Sequence, residues 1–136
     1  MNGIKLSFFS VLFLLAVACT NQDRENVLSK EPFVSITDSI QKFPGNVQLL
    51  MRRAQLLSQH NLHELAYSDY KAAWEKEQSE EIGLAYVSNL YLVNKPREAV
   101  SVLELAVKKF PADPEFRRRL SEAYIQTGLS KKAMEQ

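Results

Sequence analysis

Cysteine is nearly missing from this 136-residue chain. Cys19 is the only one, so no internal disulfide can form. Glycine and proline are scarce, at 4 and 5 residues, too few for the many tight turns of a sandwich or barrel. An excess of one charge is lacking too. The net charge is +1, and residues 1–18 hold only Lys5, so the remainder balances 16 basic against 16 acidic side chains. That neutrality offers no electrostatic footprint for nucleic acid or an anionic membrane face. No uncharged apolar run reaches the roughly 20 residues of a spanning helix. Signatures of catalysis are absent as well: there is no Gly-rich phosphate loop, no nucleophile elbow, and no paired acid with an activating neighbour. The expectation is a non-enzymatic chain with no catalytic residue and no cofactor.

What is present begins at the N-terminus. Met1 to Lys5 carries one positive charge, residues 6–18 carry none, and the run closes Ala16-Val17-Ala18-Cys19. The length suits the apolar region of a secretory signal rather than a span. Small residues suit the narrow pocket of a signal peptidase, and a thiol just after the cut is the atom that accepts a diacylglyceryl group. The pattern resembles a bacterial lipoprotein signal, with Ala18 and Cys19 matching, Val17 a tolerated variant, and Ala16 in place of the favoured leucine. The resemblance implies lipidation at Cys19 and stable anchoring, because several acyl chains hold where one is marginal. An ordinary signal peptide cut near Ala18, with a free thiol left over, is the alternative. Thr20, where an aspartate would favour inner-membrane retention, points by the same resemblance to the outer membrane. Residues 20–30, TNQDRENVLSK, are polar and read as a flexible tether.

After the tether, apolar residues recur at helical spacing between three breaks, Pro44-Gly45-Asn46, Asn94-Lys95-Pro96 and Pro111-Ala112-Asp113-Pro114. Asp113 is placed to cap a helix starting at Pro114. No segment alternates as a strand should. The spacing predicts an all-α chain of short antiparallel helices. Ala66, Ala99 and Ala133 then recur at intervals of 33 and 34 residues, with Ala73 and Ala106 seven residues after the first two and Pro111 twelve after Ala99. The period and these positions resemble the tetratricopeptide repeat, a helical hairpin whose helices close on small residues. Ala54, Ala66, Tyr70 and Ala73 match in a first repeat over 47–80, with Asn61 for the turn glycine. Ala99, Leu103, Ala106 and Pro111 match in a second over 81–113, read as one residue short near Pro96, with Ser88 as its small position. Leu120, Ser121, Tyr124, Gly128 and Ala133 match in an incomplete repeat over 114–136, and residues 32–46 look like an earlier half repeat. The resemblance implies a short right-handed solenoid over residues 32–136.

It also implies a function: the inner face of the first helix of each repeat forms a groove for a partner protein or peptide. Position by position, that groove takes Gln48, Met51, Gln55 and Ser58, then Asn89 and Leu92, then Glu115, Arg118, Glu122 and Ile125. Met51 and Gln55 fill the first two places of the family's carboxylate clamp and Glu115 stands where a lysine belongs, so that activity is not expected. The other residues of note have blander readings. His60 and His63 sit at a turn with no third metal ligand near in sequence. Arg117, Arg118 and Arg119 point in different directions on a helix. Trp74, Tyr86, Tyr91 and Tyr124 occupy apolar helical positions and read as packing. The expectation is a lipid-anchored, periplasm-facing adaptor of the bacterial envelope, bound to the bilayer through Cys19 and to protein through the groove. A small-ligand or glycan-binding lipoprotein, or a truncated remnant of a longer repeat protein, is the alternative.

Overall fold

The computed structural model describes residues 22–129. The expected signal sequence at 1–18, Cys19, Thr20 and Ala133 lie outside the described residues. Among the described residues the chain is all-helical, with no strand. Its helices are α1 (residues 22–28), α2 (Val34–Lys42), α3 (Val47–Gln59), α4 (His63–Lys76), α5 (Glu80–Leu92), α6 (Pro96–Lys109) and α7 (Pro114–Gln126). From α2 onward, the substantial helix contacts join sequence neighbours. Among the described residues no helix is long and apolar enough to cross a membrane.

Capping sets the starts of α3, α5 and α7. Asn46 Oδ1 accepts from the Leu49 N–H, Ser79 Oγ from Ile82 N–H and Asp113 Oδ1 from Glu115 N–H, at 3.1, 3.4 and 2.8 Å. Each satisfies a donor that the first turn of a helix leaves open. All three helices are 13 residues long, and they also stop alike. A residue in the left-handed region follows at the same place each time, Asn61, Asn94 and Gly128, with φ of 59°, 54° and 76°. The next N–H then donates to the carbonyl five residues back, Leu62 to Leu57, Lys95 to Leu90 and Leu129 to Tyr124. This is the Schellman closure, which favours glycine or asparagine. Helices α4 and α6, both 14 residues, follow after turns of equal length.

The caps fix the frame that residue spacing left open. The units run 47–79 and 80–113, not 47–80 and 81–113. The missing residue is not near Pro96, where the turn matches that before His63. It lies between α4 and α5, where Glu77-Gln78-Ser79 does what Phe43-Pro44-Gly45-Asn46 and Phe110-Pro111-Ala112-Asp113 do elsewhere. In this frame the small-residue place of α5 belongs to Val87, fully buried, and not to Ser88, which is exposed.

The core lies where helices cross. Ala54, Ala66, Ala73, Ala99, Ala106 and Ala123 have no exposed surface, and Leu103 has none either. Tyr70, Trp74, Tyr86, Leu120 and Tyr124 are buried around them. Larger side chains at those alanines would hold the axes beyond the usual 8–10 Å or so. Gly83 is a further close approach: a Cβ there would meet Trp74 of α4 at 3.0 Å and Phe116 of α7 at 3.3 Å.

One boundary needs correction. The polar stretch at 20–31 is not a tether throughout, since residues 22–28 are helical. Leu28 is buried in the core, Val27 packs against it, and Arg24 Nη2 donates to Ser68 Oγ of α4 at 2.5 Å. Two apolar residues and one long-range hydrogen bond suffice to dock a segment whose composition looks unstructured.

The packing makes a graded expectation. Ala99→Leu adds volume at a closed crossing and should cost about 1–3 kcal/mol in urea unfolding. Ser88→Ala, at an exposed site, should change stability by no more than about 0.5 kcal/mol. Equal effects would mean that the frame set by the caps is wrong.

Candidate functional site

Helix α5 lies between α3 and α7. It flanks a cleft with α3, and Arg119 of α7 reaches Ser88 of α5 at 3.1 Å. With the frame fixed, the equivalent second, fifth, ninth and twelfth residues are Gln48, Met51, Gln55 and Ser58 on α3. They are Glu81, Leu84, Ser88 and Tyr91 on α5, and Glu115, Arg118, Glu122 and Ile125 on α7. Asn89, expected in the groove, is buried at 2% exposure and its amide donates to the His63 carbonyl at 3.1 Å. It ties α5 to the start of α4 and cannot face a partner. The one-residue slip in the sequence frame put it on the wrong side of the helix. Leu92 is exposed at 61%, as is Ile125.

The three helices contribute differently. On α3, Gln48, Met51 and Gln55 line a cleft of about 400 Å³, with Val47 and Arg52 beside them and Glu77, Ser79, Glu81 and Ile82 opposite. Met51 is 7% exposed and forms part of its floor. Ser58 lies outside the lining. On α7 the charges are spent internally. Arg118 donates to both oxygens of Glu115, at 2.9 and 2.6 Å, and also pairs with Glu122. Arg119 donates to Glu115 at 2.6 Å. These bonds hold the Glu115 carboxyl down at about 2, Arg118 first and Arg119 second, and Glu115 in turn raises the Arg118 guanidinium. Arg117 donates instead to the Pro111 carbonyl, so the arginine run is dispersed. On α5, the Tyr91 hydroxyl is buried with no hydrogen-bond partner among the described residues. Burial, then the nearby Glu122 carboxylate, raises its pKa.

Polar groups away from this face act as braces that spacing alone did not disclose. Arg53 of α3 donates from Nε and Nη2 to the two oxygens of Asp69 on α4, both at 2.7 Å, and from Nη1 to Thr37 of α2 at 3.3 Å. Both ions are nearly buried, with side chains 9% and 4% exposed. Glu98 of α6 accepts from Tyr67 of α4 at 3.1 Å and from Tyr86 of α5 at 2.5 Å. Burial first, and the Glu98 carboxylate second, push the Tyr86 hydroxyl well above its ordinary range. Lys95 sits 4.8 Å over the Tyr67 ring, an attractive geometry. His60 packs edge-on to Phe33 at 5.3 Å. Among the described residues no group of three or more His, Cys, Asp or Glu could hold a metal. Trp74, Tyr86 and Tyr124 are buried.

No protein-family model matches the chain, and no curated protein matches it.

The reason for the missed frame is specific. Three cap residues, Asn46, Ser79 and Asp113, recur at the helix starts, and that triplet was readable in the sequence. The pairing of Arg53 with Asp69 was not, since it needs the crossing of α3 and α4.

Two expectations follow from these polar contacts. Asp69→Ala should cost about 3–5 kcal/mol, because it strands a buried guanidinium, while replacing both partners by apolar residues of similar volume should recover most of that loss. The second concerns acid. The folded-state pKa of Glu115 is depressed from 4.5 to about 2, so its stabilisation is present above 4.5 and fades as pH falls through that window. Glu115→Gln should flatten the acid limb of a stability–pH profile between those values; an unchanged limb would mean that the exposed pairs are screened out.

Proposed function

We propose that the chain is a tetratricopeptide-type repeat scaffold, anchored to a bacterial envelope membrane through acylated Cys19 and binding a partner protein or peptide on the face formed by α3, α5 and α7. The observation that carries the proposal is the set of three helices with the same length, a side-chain cap at each start and the same left-handed stop, presenting one face on which a cleft stays open. Such hairpins cannot each bury an apolar side alone and gain stability by stacking. The outer membrane is the favoured location, on the strength of Thr20.

The helix at 22–28 shapes the mechanism. Between Cys19 and Gln22 lie only two residues, and the chain from one to the other spans about 10 Å when fully extended. An acylated Cys19 would therefore hold the repeats close to the bilayer. Tethering on this reading restricts the partner to molecules that come near the membrane surface, and raises the local concentration for those that do.

Two measurements test the proposal. Cys19→Ala should abolish fatty-acid labelling and release the protein from the membrane fraction; a labelled or fully membrane-bound variant refutes the anchor. Crosslinking in native envelopes should capture a discrete partner with the wild type and lose it with Gln48→Ala plus Gln55→Ala, two exposed cleft positions. A partner captured equally by the variant refutes the face.

A further inference from the structure

The cleft between α3 and α5 differs from its surroundings in one structural detail. The two longer connections open with phenylalanine at the end of the preceding helix, Phe43 and Phe110, and Phe110 stacks on Phe116 with ring centroids 5.7 Å apart. The connection between α4 and α5 is one residue shorter and has Glu77 at that place. An aromatic ring is thus replaced by a carboxylate at the edge of the cleft. Glu81, in the first turn of α5, adds a second carboxylate on the same wall, and both residues are exposed. The wall opposite is α3. There Gln48, Arg52 and Gln55 follow one another at helical spacing, above a floor that includes Met51 and Ile82.

Charge separates this cleft from the rest of the face. Glu115 and Glu122 on α7 are neutralised by Arg118 and Arg119. Glu77 and Glu81 have no ion-pair partner among the described residues, and neither carboxylate is within salt-bridge distance of Arg52. Within the cleft lining two carboxylates stand against one guanidinium beside an apolar floor, while the Lys76 ammonium lies outside it, against Gly45. The glutamine amides on the far wall can both donate and accept, which suits the alternating N–H and C=O groups of a peptide backbone. The cleft, of about 400 Å³, thus offers backbone-bonding groups, an apolar floor and unpaired carboxylates together, the elements by which extended segments are recognised through main-chain bonds and side-chain pockets.

We infer that this cleft takes an extended peptide segment bearing a lysine or arginine, whose cation lies between Glu77 and Glu81 while Gln48 and Gln55 bond its backbone and an apolar side chain covers Met51 and Ile82. The inference rests on the protein-binding reading above and narrows it to a partner whose docking segment is basic. Attraction between the unpaired carboxylates and that cation steers association and suppresses acidic competitors.

The test uses the full chain in detergent and an array of short synthetic peptides in three matched sets. The sets share randomised apolar flanks and differ at a central pair, which is basic, acidic or glutamine. The basic set should bind, with affinity falling as salt rises. Glu77→Gln with Glu81→Gln should weaken that binding by about tenfold or more, while Glu64→Gln, exposed on α4 and outside the cleft lining, should leave it unchanged. Circular dichroism would verify that the double variant remains folded. Acidic or neutral peptides binding as well as basic ones would overturn the inference and leave the protein-binding reading standing. Basic peptides indifferent to the double variant, or no peptide binding while envelope crosslinking yields a partner, would overturn the cleft assignment alone. No peptide and no crosslinked partner would remove both.

Discussion

The close crossing of neighbouring helices is the constraint on which the rest of this structure depends. Where α3 meets α4 and α5 meets α6, the side chains at the contact are alanines with no exposed surface, Ala54, Ala66 and Ala73 in the first hairpin and Ala99 and Ala106 in the second. Helices that close can be joined by a turn of three residues, and that turn in turn demands a left-handed residue at one place. Asn61 and Asn94 meet the demand without being glycine, because a short polar side chain tolerates that region better than a branched one. Local sequence and tertiary packing therefore ask for the same geometry, a consistency that characterises foldable sequences.

Close helices bring polar groups into the interior, and several of those groups are satisfied by bonds that join elements rather than within one helix, though the Tyr91 hydroxyl has no such bond among the described residues. Arg53 binds Asp69 and Thr37, uniting α2, α3 and α4. Glu98 gathers two tyrosines, uniting α4, α5 and α6. A buried ion pair is weak evidence for net stability, yet it is costly to leave half-made, so it discriminates against mispaired helices. The same economy is not applied on the face of α3, α5 and α7. There the α7 carboxylates are neutralised locally, while Glu77, Glu81 and the amides of Gln48 and Gln55 are left facing solvent around a cleft. The connection beside that cleft is one residue shorter than those before α3 and α7 and has Glu77 where they have phenylalanine.

The α1 segment makes the same point in another register. Its composition is that of a linker, with charges and amides in most positions. Only Val27 and Leu28 are apolar, and Leu28 is buried. Whether so small an apolar pair docks depends on the surface that the later helices present, and α4, far along the chain, supplies Ser68 to hold Arg24 in place. Composition averages over a window and is blind to such a pair.

By itself the sequence determined the helical class, the hairpin period and most of the buried alanines. These rest on local rules: apolar spacing near the helical period, and small residues that recur because every hairpin repeats the same crossing. The starts of α3, α5 and α7 were also legible in Asn46, Ser79 and Asp113, since a cap acts within its own first turn. The tertiary structure corrected which side of α5 faces outward, a facing that the Ser79 cap encodes and that residue spacing alone misplaced. Residues 88 and 89 differ by one step, about 100° around the helix axis, and one missing residue between α4 and α5 moved Asn89 inward and Ser88 outward. Only the tertiary structure paired Arg53 with Asp69, docked α1, and set Glu77 beside Glu81 across from Gln48 and Gln55. Those are relations between distant segments, and no local preference encodes a distance between side chains that meet only after the helices have packed.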